Sequence, residues 1–217
     1  MLIARFPDPR TADEQGLVAV GGDLHPQTLL LAYRSGIFPW PVGDMPMLWF
    51  SPGERAVLDF DELHLSRSLR RSLRRHPFTF SIDRGFDGVI RACARVPRPG
   101  QEGTWITPEM IAAYLRLHRI GIAHSAEARH GDDLVGGLYG VEIDGAFAAE
   151  SMFYNQAGAS KLALLHLVEH LRRRGLDWMD IQMMTPHMQR LGAHTITREE
   201  FLDRLVTTRL RGLRLFG

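Results

Sequence analysis

Three polar residues interrupt apolar, strand-like runs in the C-terminal half of the chain: Glu150 in Ala146–Phe153, and Asp180 and Gln182 in Asp177–Met183. Polar groups at positions that local patterning reserves for a core are expected at functional sites. Asp180 and Gln182 are two residues apart, so on a regular strand both face one side of the sheet. An ionised Asp can fix a Gln amide by accepting from its NH2, which leaves the Gln carbonyl as an oriented acceptor. Such an acceptor suits an attacking amine, and Glu150 supplies negative charge suited to a cationic substrate. The same residues are also compatible with satisfied polar groups at strand ends.

The surrounding stretch predicts how they are positioned. Leu134–Glu142 and Ala146–Phe153 are apolar and partly alternating, and Asp144-Gly145 between them tolerates the positive φ angles of a tight hairpin. A helix is expected from about Ala159 to Arg174, with Leu164, Leu167, Val168 and Leu171 on one buried face and Gly175 just beyond its end. Asp177–Met183 then returns as a strand. Hairpin, crossover helix and returning strand give an α+β fold with a mixed sheet flanked by helices.

Composition bounds the rest. The chain has 217 residues, 45% apolar and 24% charged, with a formal net charge of +1. That length suits one large domain or two small ones. With so little net charge, a nucleic-acid partner must be held by a local patch. The single cysteine, Cys93, excludes internal disulfides and a Cys-based zinc finger. No apolar run approaches the ~20 residues needed to span a bilayer. The N-terminus MLIARFPDPR lacks the apolar centre of a signal peptide. A soluble, cytoplasmic protein with no membrane partner is expected, acting as a monomer.

Such a patch exists on His64–His76. Arg67, Arg70, Arg71, Arg74 and Arg75 fall at i, i+3, i+4, i+7 and i+8, one stripe on a helix that Ser66 would cap. Leu65, Leu69 and Leu73 make an adjacent docking line. No acidic residue lies between Arg67 and Arg75 to offset the repulsion. The face is either a solvated surface or a phosphate-binding one, and arginine suits phosphate geometry.

Elsewhere, Pro26–Arg34 reads as a helix in a Pro- and Gly-punctuated segment, residues 1–60, that carries Trp40 and Trp49. These tryptophans either plug a small subdomain or offer flat faces for stacking on a base. Phe78–Ile90 reads as strand-bearing and Pro97–Thr104 as a loop. Thr107 and Pro108 open a helix to about Arg119, Thr185-Pro186-His187 starts a helical turn, and Thr197–Glu200 is a capping-box start.

Other motifs bear on this reading. His166-Leu167-Val168-Glu169-His170 has the H-x-x-E-H spacing of some zinc peptidases, yet no third ligand follows at a persuasive position, and no metal is expected. No phosphate-binding Gly-Lys loop or Rossmann fingerprint is present. The hairpin–helix–strand order suggests the acetyltransferase (GNAT) architecture, whose coenzyme A phosphates sit on a Gly-rich helix start. Here that turn is only Asn155-Gln156-Ala157-Gly158-Ala159-Ser160, which weakens a coenzyme A site.

At these residues the chain resembles the leucyl/phenylalanyl-tRNA–protein transferases, the bacterial N-end-rule aminoacyltransferases. The resemblance rests on Gly21-Gly22-Asp23-Leu24, Tyr33, Gly36-Ile37-Phe38-Pro39-Trp40, Trp49 through Ser51-Pro52, and His64-Leu65-Ser66-Arg67-Ser68. It continues through Glu102-Gly103-Thr104-Trp105-Ile106-Thr107, Gly136-Gly137-Leu138-Tyr139-Gly140, Glu150-Ser151-Met152-Phe153, Ala159-Ser160-Lys161, Asp180-Ile181-Gln182 and Leu191-Gly192-Ala193.

The resemblance implies an enzyme that moves Leu or Phe, and less often Met, from aminoacyl-tRNA to the N-terminal Arg or Lys of a protein, marking it for degradation. It implies a small N-terminal domain, residues 1–60, a GNAT-like catalytic domain, residues 61–217, and no cofactor. Asp180 would orient Gln182, Gln182 would assist the attacking amine, and Glu150 would help place the acceptor. Tyr33, Trp40, Trp105 and Tyr114 would contact the 3′-terminal adenosine. Leu138, Met152, Leu164, Leu167, Leu171 and Met179 would line the pocket for the donor side chain, and the arginine stripe would bind tRNA. Ile181 and Thr185 stand where relatives often have Cys and Asn. A coenzyme A-dependent N-acetyltransferase and a non-catalytic RNA-binding module are the competing readings.

Overall fold

A computed structural model describes residues 3–96 and 104–217. The expected loop at 97–103, and with it Glu102 and Gly103 of the quoted motif, lies outside the described residues.

The Pro- and Gly-punctuated segment forms strands β1 (Leu17–Val20), β2 (Phe38–Trp40) and β3 (Leu48–Phe50), with helix α1 (Pro26–Arg34) between the first two. These strands make a three-stranded antiparallel sheet in the order β1-β3-β2. Trp49 is fully buried there, its Nε1 donating to the Gly21 carbonyl at 2.7 Å. It plugs the subdomain, as one reading of that tryptophan expects.

The remaining elements are β4 (Glu54–Asp59), α2 (Arg67–Arg75), β5 (Thr79–Ile82), α3 (Phe86–Cys93), α4 (Pro108–Arg119), β6 (Ala123–His130), β7 (Asp133–Ile143) and β8 (Ala146–Tyr154), followed by α5 (Ala159–Arg173), β9 (Trp178–Gln182), α6 (Pro186–Gln189), β10 (His194–Thr197) and α7 (Arg198–Leu210). Among the described residues seven strands join in the order β10-β4-β9-β8-β7-β6-β5, and only the β8–β9 pair is parallel. The sheet is therefore mixed, with helices packed on it, as the hairpin–helix–strand pattern predicts.

Local chemistry sets these boundaries. Ser66, Thr107 and Thr185 accept from the backbone N–H three residues on, and Thr197 with Glu200 forms a full capping box. Asp144 and Gly145 both adopt positive φ, 50° and 90°, which joins β7 to β8 in two residues. Gly136 admits α5 close to the sheet, since a Cβ there would stand 2.6 Å from that of Ala159. That contact sets the start of α5 directly against β7.

The structure refines two boundaries. In Phe78–Ile90 only Thr79–Ile82 is strand, because Phe86, Val89, Ile90 and Cys93 recur at helical spacing and are all buried. Short apolar runs do not by themselves distinguish the two periods. The second concerns β4, which lies within residues 1–60 but runs in the large sheet between β10 and β9. Val57 and Leu58 are fully buried there, so by strand pairing Glu54–Asp59 belongs with the large sheet. Phe6, Leu29, Tyr33, Ile37 and Trp49 share one apolar cluster with α3, α4 and β7.

A carboxylate, an amide and two tyrosines at the head of a cleft

Two β-bulges aim the site. In the β7–β8 ladder Tyr139 pairs with Ser151 and Gly140 with Ala149, leaving Glu150 as the extra residue on β8. In the β4–β9 ladder Ala56 pairs with Gln182 and Val57 with Asp180, leaving Ile181 extra. Gln182 is held in the left-handed region at φ 63°. Strict alternation therefore fails at both positions.

The bulges bring Glu150 and Gln182 into contact. Glu150 Oε1 accepts from Gln182 Nε2 and from the Tyr33 hydroxyl, each at 2.6 Å, while Oε2 accepts from the Tyr114 hydroxyl at 3.3 Å. The two tyrosine hydroxyls also hydrogen-bond to each other. Burial, then the negative charge of Glu150, pushes both phenols well above their ordinary range, so they remain donors. Burial also raises the Glu150 carboxyl to about 7, with the Asp180 charge adding and the bonds from Tyr33, Gln182 and Tyr114 opposing. A carboxyl poised there can take or give a proton near neutrality.

Asp180 plays a different part from the one its spacing suggests. Its carboxylate accepts the Gln182 backbone N–H at 2.8 Å, not the side-chain amide. The reason is Arg55, which grips both Asp180 oxygens at 2.8 and 2.7 Å, and the positive φ that swings the Gln182 side chain toward Glu150. Arg55 is buried between the rings of Phe38 and Phe201, 4.6 and 4.4 Å from its guanidinium carbon, and donates to the Gly36 carbonyl at 3.3 Å. Asp180 thus fixes the backbone of Gln182, and Glu150 fixes its amide. The amide oxygen accepts no bond from the described residues and stays available.

Below this cluster opens a cleft of about 420 Å³ between the end of β8, the start of α5 and the segment Met183–Met188. Of the residues expected to line a side-chain pocket, Leu138, Met152 and Leu164 do line it. Leu167, Leu171 and Met179 are buried behind it in the core. Trp40 and Trp105 stack on each other, ring centres 5.1 Å apart, with Trp40 half-buried. Tyr33 and Tyr114 stand at Glu150. The five arginines of α2 are exposed, and among the described residues none of them forms an ion pair. In the apolar line beside them Leu69 is buried and Leu73 exposed, so Leu69 does most of the docking.

Sequence reasoning missed Arg55 and His187. Arg55 carries a readable signal, a charge inside the apolar strand Arg55-Ala56-Val57-Leu58. His187 lines the cleft with its Nε2 buried and unpartnered among the described residues. Burial, with Lys161 and Arg190 nearby, lowers its imidazole below the ordinary range and keeps it neutral. The H-x-x-E-H histidines are engaged elsewhere: His166 stacks on Phe80, and His170 Nε2 lies 2.8 Å from the Leu215 carbonyl.

Fold and site together are those of an enzyme, with a titratable carboxyl and an oriented amide at the head of an apolar cleft. The family model "Leucyl/phenylalanyl-tRNA protein transferase" matches residues 57–206, and that of the same family's N-terminal domain matches residues 22–53. Leucyl/phenylalanyl-tRNA–protein transferase of Anaeromyxobacter sp. (strain K) is 55% identical over 92% of this chain and 86% of its own. Its counterpart in Maridesulfovibrio salexigens is 50% identical over 92% and 84%, and that of Shewanella woodyi 48% over 94% and 86%. The chain belongs to the leucyl/phenylalanyl-tRNA–protein transferase family, and it is an aminoacyltransferase.

Proposed function

We propose that the Glu150–Gln182 pair joins the α-amine of an N-terminal Arg or Lys to Leu or Phe, and less often Met, delivered as a tRNA ester. The observation that carries this reading is the hydrogen bond between Gln182 Nε2 and a Glu150 carboxyl poised near 7. Gln182 Oε1 holds the incoming amine, and Glu150 accepts its surplus proton. The amine nitrogen attacks the ester carbonyl, the new N–C bond forms, and the C–O bond to the terminal ribose breaks. A proton then passes to the departing ribose hydroxyl. No cofactor takes part.

Tyr33 and Tyr114 act through Glu150 in this scheme, while Trp40, backed by the buried Trp105 stacked on it, offers its aromatic face to the 3′-terminal adenosine. Leu138, Met152 and Leu164 receive the donor side chain, backed by Leu167, Leu171 and Met179. All six are unbranched at Cβ, which suits Leu, Phe or Met and disfavours β-branched donors by shape. The α2 arginines hold the tRNA phosphates. The β7–β8 hairpin, α5 crossover and parallel β9 support a GNAT-like catalytic domain, preceded by a small N-terminal domain. We place the enzyme in the cytoplasm as a monomer. Among the described residues no helix is long and apolar enough to cross a membrane.

The test is transfer of labelled leucine from Leu-tRNA to a peptide with N-terminal Arg, with an N-acetylated peptide and acetyl-CoA as controls. Labelled free-amine peptide is the expected product. Acetyl incorporation in its place would contradict the reading.

A further inference from the structure

Past Glu150, strand β8 has a free edge inside the cleft. Gly136 pairs with Tyr154, and the Asn155 N–H bonds to the Val135 carbonyl at 2.7 Å, which together fix the phase of the β7–β8 ladder. In an antiparallel ladder residues alternate between exchanging both main-chain bonds with the partner strand and exchanging none. Met152 and Tyr154 are of the second kind, so their N–H and C=O groups point away from β7, toward the side of β9.

β9 does not meet them. Its parallel pairing with β8 is confined to Ala148 and Asp180. Beyond that rung the Gln182 N–H turns onto the Asp180 carboxylate, and the Met183 N–H turns onto the Ile181 carbonyl at 2.7 Å. The cleft crosses the plane of the sheet at this split: Met152 packs toward one apolar cluster, Phe153 belongs to the other, and both line it. The phase of the β7 ladder leaves the main-chain groups of Met152 and Tyr154 unused by β7, and the β8–β9 pairing does not reach them. An open edge of this kind is a template for another strand.

We infer that, granted the transferase reading above, the acceptor protein's N-terminal segment binds here in extended form, adding as a strand to the free edge of β8. Its α-amine meets Glu150 and Gln182, and the residues that follow run past Met152 to Tyr154, parallel to β8.

The edge begins at the carboxyl that receives the amine, so one continuous path leads from the reacting atom to the mouth. Charge matches at its start, where an α-ammonium meets Glu150. From Glu150 to Tyr154 the edge is about 13 Å long, enough for roughly four residues. At the mouth Tyr154 and Met183 are 64% and 43% exposed, an apolar rim for alternate side chains of the added strand. Strand addition draws affinity from main-chain bonds and is indifferent to most side chains. It suits acceptors that have in common only their first residue.

The experiment uses the full enzyme, Leu-tRNA and hexapeptides that begin with Arg and carry a single backbone N-methyl group at residue 3, 4 or 5. Pairing on one edge predicts alternation. Methylation at residues 3 and 5, or at residue 4 alone, raises KM roughly fivefold to tenfold, while the opposite parity and kcat stay unchanged. Equal effects at all three positions, or none at any, would overturn the inference. Transfer to the unmethylated peptide is the separate check on the reaction: if that fails, the transferase reading falls instead.

Discussion

Gln182 reaches Glu150 with its side chain and Asp180 with its backbone, and the two bonds, 2.6 and 2.8 Å, hold it in a left-handed conformation at φ 63°. Non-glycine residues in that region carry strain of about 1–3 kcal/mol, tolerated where the surroundings over-determine them. The strain is what presents the amide to Glu150.

Gln182→Gly therefore separates backbone from chemistry. Glycine adopts this φ freely, so stability should stay within about 1 kcal/mol of the parent by chemical denaturation. Loss of the amide should still lower kcat/KM for peptide aminoacylation about a hundredfold. A variant that kept its activity would show that the amide is dispensable.

The buried Arg55–Asp180 pair gives a second prediction. Arg55→Met leaves the Asp180 carboxylate unpaired in a buried setting, and removing one partner of such a pair typically costs about 3–5 kcal/mol. Adding Asp180→Leu removes the orphaned charge and should recover most of the loss in urea unfolding. Activity should remain absent in the double variant, because nothing then anchors the Gln182 backbone. Recovery of both would mean that the pair serves stability alone.

The arginine stripe predicts an ionic-strength signature. Changing Arg70, Arg71 and Arg74 to Ala together should raise KM for aminoacyl-tRNA and flatten its dependence on salt, by about one unit of slope for each phosphate contact removed. Turnover at saturating aminoacyl-tRNA should not change. An equal loss with a minimal aminoacyl-adenosine donor would point to a structural role.

The elements of this fold are written locally, and so they are legible. Thr107, Thr197 and Ser66 cap the helices they precede, Asp144-Gly145 makes the hairpin, and Leu164, Leu167, Val168 and Leu171 bury the face of α5. The residues Glu150, Asp180 and Gln182 stood out as polar breaks in apolar runs, but their pairing did not. Same-face logic assumes a regular strand, and bulges at Glu150 and Ile181 invalidate it. Arg55 lies 125 residues from Asp180 along the chain, a separation at which no spacing rule operates. The free edge of β8 is a matter of register, which only the paired strands define.

Glu150 also links stability to pH. Its folded carboxyl, at about 7, lies above the 4.5 of the free group, so the folded state binds more protons between those values. Stability is then fully present below about 4.5 and is lost as pH rises through 7, by about 3 kcal/mol. Glu150→Gln removes the titration, so it should gain stability relative to the parent over that interval and keep a constant difference above it.

The measurement that bears most directly on the account is the pH profile of leucine transfer to an N-terminal Arg peptide by the parent, Glu150→Gln and Tyr33→Phe. With Glu150 as proton acceptor, kcat/KM for the parent should rise with pH through an inflection near 7. Tyr33→Phe removes a bond that stabilises the carboxylate, so its inflection should move to higher pH. Glu150→Gln should be slower by a hundredfold or more, with that inflection gone. An unchanged inflection in Glu150→Gln would contradict the assignment of Glu150 as the group that takes the proton.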